Sequence, residues 1–286
     1  MRVLMAVVAH PDDEAFGMGG TLARYAAEGC AVYVVTATRG EAGQIAAEAA
    51  SPANLPLVRE RELRCACRAY GAHPPIFLDY LDGQLPIVHQ GQAVGKLVRV
   101  IRELRPDVIV TFGPDGIYGH YDHIAVHRWA TIAYDLANDP DCFPGQLEGE
   151  CRPHQVSKLY YQVLPAEELA EWRAQGQEPV VMMDGVPFPM VGWKRGEITT
   201  VIDISAHAEA KMAGMRCHRS QIGDESDWTS AEARASRMFK EETYVLARST
   251  VERTEGVEDD LFIGLDSTTE NAEKTESTEI KEMNCE

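Results

Sequence analysis

A histidine and three carboxylates stand close together near the start of the chain, where residues 9–14 read AHPDDE. Imidazole nitrogen and carboxylate oxygen are good zinc ligands, and an open catalytic zinc site needs three protein ligands and a water molecule. Three acids would repel a pyrophosphate, so the GMGG at residues 17–20 does not suit a dinucleotide-binding loop. The run indicates a cation site, although alone it could also be a turn with helix-capping acids.

A second polar run, GPDGIYGHYDH, occupies residues 113–123, and a further histidine follows at His127. If the strands before the two runs are neighbours in one sheet, a histidine of this run completes the ligand set of the first. His123 and His127 are one helical turn apart and could instead form a ligand pair themselves, with His120 as the capping residue. The other interpretation of His127 is a packed helix residue that hydrogen-bonds to backbone.

Short apolar and β-branched runs predict the strands that position these two clusters. The predicted strands are Val3–Val8, Ala31–Thr36, Pro75–Leu78 and Val108–Phe112. Between them, residues 17–28 suit a helix. Apolar residues at helical spacing between residues 94 and 104 predict a second helix, which Pro106 closes.

This alternation of strands and helices predicts an α/β fold with a Rossmann-like, mostly parallel sheet and helices on both faces. Right-handed crossovers place the ligand site outside the carboxyl ends of the strands, where both polar runs lie. Residues 39–58 and 138–155 lack clear periodicity and are predicted to be surface loops near that site.

The C-terminal half is predicted to add an insertion over about residues 165–197, a strand at Ile198–Ile204 and a helix over Ser205–Arg219. Ser205 is expected to cap that helix, with Glu209 near its positive end. Residues 266–286 offer almost nothing to bury and are predicted to be a disordered acidic tail, so residues 1–265 form one domain.

Charge and composition restrict the class of partner. The formal net charge is −18, and residues 252–286, with twelve acidic and three basic residues, contribute half of it. Such a surface repels phosphate backbones and anionic lipid, so we expect small-molecule substrates and no nucleic-acid or membrane partner. The absence of a long apolar stretch and of a signal pattern at Met1 predicts a cytoplasmic protein. The sequence is also compatible with a homo-oligomer.

The seven cysteines are irregularly spaced and include no C-x-x-C pair, so most are expected to be reduced thiols outside any structural zinc site. Cys65 and Cys67 on one helix would face different directions.

The two polar runs, HPDDE at residues 10–14 and HxxH at residues 120–123, resemble the LmbE-like, PIG-L type N-acetylglucosaminyl deacetylases. The resemblance extends through RxxEL at residues 59–63, Asp82 and HxxQ at residues 218–221, and covers residues 1–265. Within the family, VSKLYY at residues 156–161 and LARS at residues 246–249 are similar to the mycothiol-type deacetylases and mycothiol-conjugate amidases.

The resemblance implies a metal site of His10, Asp13 and His123, with Asp12 free of the metal as general base. Zn²⁺ suits these ligands, and Fe²⁺ or another divalent ion is also compatible with them. Zinc lowers the pKa of a water molecule that it binds to about 7, so a nearby carboxylate can take the proton and later return it to the leaving amine.

The resemblance also implies that His120 is a protonated imidazole, held by Asp122, that faces the developing oxyanion. Tyr118 matches a mobile tyrosine of the mycothiol-type deacetylases that reaches the same oxygen. The alternative for Tyr118 is a loop aromatic residue that covers the core.

Three further positions match the family's substrate-binding or supporting positions: Arg59 for an anionic or hydroxyl-rich aglycone, Asp82 for sugar hydroxyls, and His218. Each also has a structural interpretation. Arg59 could belong to an exposed, salt-bridged helix face. Asp82 could form a turn with Gly83, and His218 could hydrogen-bond the terminal carbonyls of a helix.

We therefore expect a zinc-dependent hydrolase that deacetylates an N-acetylglucosamine-type amino sugar or glycoconjugate. Within the enzyme class, the alternative is an amidase that cleaves a mycothiol-like thiol conjugate. The alternative outside that class is a non-catalytic metal- or sugar-binding relative, but such relatives usually lose residues equivalent to Asp12, His120 and Asp122, which this chain retains.

Overall fold

A seven-stranded sheet forms the centre of the computed structural model, which describes residues 1–46, 50–149, 151–183, 185–222 and 236–265. In chain order the strands are β1 (Val3–Val8), β2 (Ala31–Thr36), β3 (Ile76–Phe77), β4 (Val108–Phe112), β5 (Lys158–Gln162), β6 (Leu164–Pro165), β7 (Val180–Met183), β8 (Val186–Pro189), β9 (Gly192–Trp193), β10 (Thr200–Asp203) and β11 (Glu241–Ser249). The helices are α1 (Asp13–Ala27), α2 (Leu55–Tyr70), α3 (Gln90–Leu104), α4 (Gly116–Gly119), α5 (Tyr121–Leu136), α6 (Ala166–Ala174), α7 (Ala208–Cys217) and α8 (Arg219–Ile222).

The order of strands in the main sheet is β10-β11-β5-β4-β1-β2-β3. The strands from β5 to β3 are parallel, whereas β11 is antiparallel to both of its neighbours. The predicted mostly parallel α/β sheet is therefore confirmed. β1 and β4 are adjacent, with Leu4 opposite Val108 and Ala6 opposite Val110. This adjacency is the condition under which the two polar runs can meet.

The central strands consist almost entirely of apolar and β-branched residues because helices cover both faces of the sheet. All of β4 and all but the first residue of β1 are buried. Helices α1, α2 and α7 pack against one another, and α3 packs against α5. Right-handed crossovers place these two groups on opposite faces, and strands covered on both faces have continuous apolar sequences.

One helix begins earlier than predicted, and another begins inside a predicted loop. α1 starts at Asp13 instead of residue 17, because Asp13 and Glu14 occupy its first turn, where acidic side chains are stabilised by the helix dipole. α2 starts at Leu55, inside the predicted loop 39–58, and has a proline in its first turn, where proline is favoured. Only a short connection, ending at Asp12, therefore separates β1 from α1.

The predicted strand at residues 198–204 is present as β10, but the predicted cap of the following helix is wrong. Residues Ser205–His207 form a 3₁₀ turn, and α7 begins only at Ala208. The Ser205 hydroxyl donates to the carbonyl of Lys240 and caps no helix. Glu209 does lie in the first turn of α7, as expected.

The predicted insertion and the loop over residues 138–155, of which only the loop was predicted to lie near the site, differ in position. The insertion contains α6, the hairpin β7–β8 and the pair β6–β9, and Val191 N–H donates to the carbonyl of Ile117 at 2.7 Å. It therefore contacts the loop after β4. The described part of the loop over residues 138–155 lies at the amino-terminal edge of the sheet, where His154 Nε2 is 2.8 Å from the carbonyl oxygen of Pro106, so its predicted place near the site is wrong.

Four of the six cysteines that the structure describes are free thiols, as predicted for most of them, and the other two form a disulfide. Cys65 of α2 is bonded to Cys217, the last residue of α7, with their Cα atoms 5.7 Å apart. Cys67 is a buried free thiol, in keeping with the prediction that it faces away from Cys65. The pairing joins residues 152 positions apart, so sequence spacing alone offered no sign of it.

The predicted tail, residues 266–286, lies outside the described residues. Among the helices that the structure describes, none combines the length and apolar character needed to cross a membrane.

Candidate active site

The two polar runs meet at the carboxyl ends of β1 and β4. His10 and Asp13 follow β1, and His123 lies in the first turn of α5, which follows β4. One ligand atom from each of these three residues lies within 4.8 Å of the others. The second group of possible ligands consists of His10, Asp82 and Asp122. The predicted metal ligands are thus brought together by adjacent parallel strands.

The Asp13 carboxylate is held by backbone on one side and faces histidine on the other. Its Oδ2 accepts hydrogen bonds from the N–H groups of Ala9 and His10, at 3.1 and 2.7 Å. Its Oδ1 lies 3.1 Å from Nε2 of His123. Burial favours the neutral acid, but the nearby His123 and His10 outweigh it and hold the pKa of Asp13 well below its usual value. Asp13 is therefore an anion, as its predicted role as a metal ligand requires.

The His123 ring is oriented by two contacts that leave one nitrogen for a ligand. Its Nδ1 lies 3.2 Å from the carbonyl oxygen of Gly116, and its ring stacks on Phe112 with centroids 4.1 Å apart. A proton on Nδ1 directed at that carbonyl leaves a lone pair on Nε2. Nε2 is buried and, although close to Asp13, makes no hydrogen bond within the described part of the chain. An orphaned lone pair beside a carboxylate fits a bound cation.

The His10 imidazole is surrounded by carboxylates. Its Nε2 lies 3.0 Å from Oδ1 of Asp82 and 3.2 Å from Oδ2 of Asp122, and its Nδ1 lies 3.4 Å from Asp13. Burial lowers the pKa of His10, but the bonds to Asp122 and Asp13 dominate and raise it well above the usual value. These negatively charged neighbours stabilise a positive charge at His10, whether it is a proton on the ring or a metal ion beside it.

Asp122 has a different partner from the one that the resemblance implied. Its carboxylate contacts His10 and accepts from the backbone N–H groups of Gly83 and Leu85, at 2.7 and 3.2 Å. The contact with His120 runs the other way, because the Asp122 backbone N–H donates to Nδ1 of His120 at 3.1 Å. The implied pairing of the Asp122 carboxylate with the His120 ring is therefore corrected.

His120 caps the amino terminus of α5 and stays neutral. Since its Nδ1 accepts a backbone N–H, the neutral ring carries its proton on Nε2. Burial lowers the pKa of His120 to about 4, and the neighbouring His123 and His10 add to this effect. The Tyr118 ring lies 5.7 Å from that of His120 and 5.3 Å from that of His123, centroid to centroid. The two residues predicted to stabilise the oxyanion, His120 and Tyr118, thus lie beside the predicted metal ligands.

Asp12 is strained and only partly exposed. Its backbone is left-handed, with φ of 117°, a conformation that costs a non-glycine residue about 1–3 kcal/mol and is typical of functional sites. Its carboxylate Oδ2 lies 3.1 Å from Nη2 of Arg59. Burial, opposed by the charge of Arg59, raises the pKa of Asp12 to about 6. A carboxylate with this pKa is suited to accept and return a proton near neutral pH.

Arg59 is buried behind Asp12, with only 3% of its surface exposed. Besides Asp12, its guanidinium donates to the carbonyls of Pro11 and Gly40. Gly40 has a positive φ, and a Cβ at that position would overlap the guanidinium. The interpretation of Arg59 as part of an exposed, salt-bridged helix face is therefore wrong. Its direct contact with an aglycone stays a prediction.

Asp82 stands in a turn and also in the site. The next residue, Gly83, has φ of 76°, as the turn interpretation requires. The two carboxylate oxygens of Asp82 contact His10 and the N–H of Ala42, and the side chain is 9% exposed. Its predicted contact with sugar hydroxyls stays a prediction.

His218 and His127 are placed apart from the cluster of ligands. His218 is fully buried, and its Nε2 lies 2.8 Å from Oε1 of Glu14. His127 Nδ1 lies 2.9 Å from the carbonyl oxygen of Phe112, the packed arrangement considered from the sequence. The rival metal pair of His123 and His127 therefore gains no support from the geometry.

Glu14 is a site residue that sequence reasoning passed over. It is fully buried, and while its Oε1 contacts His218, its Oε2 accepts the backbone N–H of Asp12 at 3.0 Å. The available signal was its position inside the HPDDE run, but acids in the first turn of a helix have an ordinary explanation.

Comparisons with known proteins identify relatives of this chain. Residues 5–134 match the PIG-L family model, described as GlcNAc-PI de-N-acetylase. A 1D-myo-inositol 2-acetamido-2-deoxy-α-D-glucopyranoside deacetylase from Streptomyces griseus is 38% identical to this chain. The alignment is 304 residues long and covers 94% of this chain and 91% of the relative.

Two solved structures share the fold. N,N'-diacetylchitobiose deacetylase from Pyrococcus horikoshii has a TM-score of 0.64 and 21% identity, covering 86% of this chain and 83% of that one. The 4-carboxy-2-hydroxymuconate hydratase GalB from Pseudomonas putida has a TM-score of 0.62 and 20% identity, covering 90% of this chain and 100% of that one. At such identities the likeness shows the fold alone. The family model and the relative identical at 38% over most of both chains show that this chain belongs to the PIG-L, or LmbE-like, family of de-N-acetylases.

Proposed function

We propose that this chain is a zinc-dependent N-deacetylase that hydrolyses the acetamide of an N-acetylglucosamine unit joined to inositol. The observation that carries the proposal is the pairing of Asp12, whose pKa burial raises to about 6, with an open group of three ligands beside it. The proposed substrate is that of the Streptomyces griseus deacetylase, which is 38% identical to this chain over the aligned residues.

His10, Asp13 and His123 would hold the metal ion. Two neutral imidazoles and one carboxylate form a donor set that zinc accepts, and the buried, unpartnered Nε2 of His123 supplies an unused lone pair. Fe²⁺ is compatible with the same donors, so occupancy also depends on availability. The chemistry that such an ion supplies is Lewis acidity, which polarises a carbonyl oxygen and makes a water molecule more acidic.

Asp12 acts as general base and then as general acid. Its carboxylate accepts a proton from the attacking water while the water oxygen bonds to the amide carbon. When the carbon–nitrogen bond breaks, Asp12 returns that proton to the nitrogen, and acetate and a free amine leave. The ion pair with Arg59 holds the carboxylate in one orientation through both steps.

His120 stabilises the negative charge that develops on the carbonyl oxygen. Because its Nδ1 is already engaged by a backbone N–H, its donor is the Nε2 proton of the neutral ring. A neutral imidazole can donate to an oxyanion without first gaining a proton, as a pKa of about 4 requires at neutral pH. The Tyr118 hydroxyl is the proposed second donor, because its ring lies beside those of His120 and His123.

Asp122 and Asp82 fix the ligand His10. A carboxylate that accepts from a metal-ligating imidazole sets the ring's orientation and increases its basicity. Asp122 also joins His10 to the turn after Asp82, through the N–H groups of Gly83 and Leu85. The proposed role of Asp122 is therefore to orient the ligand His10, in place of the catalytic role predicted for it.

The test is acetate release by purified protein from N-acetylglucosaminyl-inositol, before and after chelation and after restoration of zinc. We expect stoichiometric acetate and amine that disappear with the chelator and return with the metal. A matched substrate with a larger acyl group separates deacetylase from conjugate amidase. Binding of the sugar with no amine formed over long incubation would replace the proposal with a non-catalytic protein.

A further inference from the structure

A chain of buried contacts supports the backbone of Asp12 from behind. The Glu14 carboxylate accepts the Asp12 N–H through Oε2 at 3.0 Å and contacts His218 Nε2 through Oε1 at 2.8 Å. Glu14 and His218 are both fully buried. Because both side chains are buried in the core, neither can contact a substrate directly. We therefore expect them to influence turnover through Asp12.

Two links fasten the segment that carries His218 to α2. The Cys65–Cys217 disulfide ends at the residue directly before His218. On the other side, Glu62 accepts from the backbone N–H and the hydroxyl of Ser220, at 2.7 and 2.6 Å. Since α2 also carries Arg59, which pairs with the Asp12 carboxylate, one helix controls both the backbone and the side chain of Asp12.

Asp12 needs such support because its conformation is unfavourable. A left-handed backbone at a non-glycine residue persists only where the surroundings impose it. If the Glu14–His218 contact loosens, the peptide can relax toward negative φ, which would turn the carboxylate away from Arg59 and from the position of the water. A displacement of about 1 Å at a reacting group can cost on the order of a hundredfold in rate.

We propose that Glu14 and His218 are positioning residues for Asp12, and that the Cys65–Cys217 disulfide holds them in place, so that reducing it slows turnover without unfolding the protein. The inference rests on the proposed function of Asp12 as general base. The reduction is balanced: a dithiol such as dithiothreitol is oxidised to its cyclic disulfide, and Cys65 and Cys217 each gain one proton and one electron as thiols.

The first test compares His218→Ala with the conservative His218→Gln, whose amide can still donate to Glu14. We expect kcat for acetate release to fall roughly ten- to hundredfold in His218→Ala, with KM and zinc content unchanged, and to recover in large part in His218→Gln. Equal kcat in the wild type and His218→Ala would overturn the inference.

The second test compares wild type with and without dithiothreitol, Cys65→Ser/Cys217→Ser, and the control Cys67→Ala. Cys67 is buried on the same helix but is unpaired. We expect the reduced wild type and the double variant to share one lowered kcat, at full zinc content and with unchanged circular dichroism. The control should match untreated wild type. A double variant as active as wild type would refute the role of the disulfide.

Hydrogen exchange gives a readout that does not depend on turnover. The Asp12 amide should exchange faster in His218→Ala and in the reduced protein than in the wild type, since Glu14 then holds it less firmly. A wild type without deacetylase activity but with this change would defeat the proposed function and leave the support of Asp12 standing. An active wild type with no change in exchange would defeat the inference alone.

Discussion

Asp12 and Asp13 are adjacent carboxylates whose pKa values the structure shifts in opposite directions. Burial raises the pKa of Asp12 to about 6, whereas His123 and His10 overcome burial at Asp13 and hold its pKa well below the usual value. Neighbouring groups with separated pKa values can divide acid–base work from charge stabilisation. The same residue type is therefore suited to carry a proton at one position and to remain an anion at the next.

Replacing Asp12 by asparagine tests this division. Asp12→Asn keeps the shape of the side chain but cannot accept the water proton, so kcat should fall by a factor of about 10² to 10⁴. Zinc content, measured by elemental analysis, should equal that of the wild type, because Asp12 lies outside the proposed ligand set. Retained turnover would exclude Asp12 as the base, and lost zinc would instead make it a ligand.

Removing His123 tests the metal site itself. His123→Ala deletes the imidazole whose Nε2 is buried and unpartnered, so metal affinity should fall by much more than tenfold. Wild type and variant, purified side by side without added metal, should contain roughly one and almost no zinc or iron per chain. His127→Ala is the matched control and should retain its metal, since His127 bonds to the carbonyl of Phe112. Loss of metal in the control would revive the rival pair.

At the scale of elements, local sequence predicted five strands of the main sheet, including both edge strands, but it did not predict β5 and β11. β1, β2 and β4 are continuous apolar runs whose burial on both faces leaves a clear signal. The antiparallel pairing of β11 between β10 and β5 depends on partners distant in the chain, which periodicity does not encode.

The candidate site divides in the same way. The family resemblance named the predicted metal ligands and Asp12, and the adjacency of β1 and β4 explains why these residues meet. The burial of Arg59 and His218 arises where α2, α7 and the HPDDE turn pack together. Their positions could be named from a motif, but their contacts could not, because tertiary packing decides them.

The close approach of α2 and α7 gives a test at this scale. Gly214 of α7 faces the buried ring of Tyr70, and a Cβ at Gly214 would overlap that ring. Gly214→Ala should lower the free energy of unfolding by about 1–3 kcal/mol in urea titration, as overpacking does. Gly196→Ala, on an open 3₁₀ turn with no atom near the new Cβ, should change it little. Equal stability of the two variants would mean that the helices separate freely.

At the scale of the whole molecule, the last described segment completes the fold. Glu258 is buried against Lys158 and Tyr160 of β5, with Oε2 at 3.5 Å from Nζ and 3.3 Å from the tyrosine hydroxyl. Tyr25 donates to Asp260 and accepts from the N–H of Leu261, each at 2.7 Å. Residues 258–262 therefore tie α1 to the antiparallel side of the sheet.

We propose on this basis that the folded unit ends near residue 265, and two truncations test the boundary. A chain ending at residue 265 should keep the unfolding temperature and kcat of the full chain, although it loses acidic charge. A chain ending at residue 255 leaves the Lys158 ammonium buried without its carboxylate, which should destabilise it by about 3–5 kcal/mol. Thermal unfolding and acetate release measured on both chains decide the matter. If the longer truncation product also unfolds early, residues 266–286 contribute contacts to the domain. If the shorter one is fully stable, the buried pair does not support the sheet.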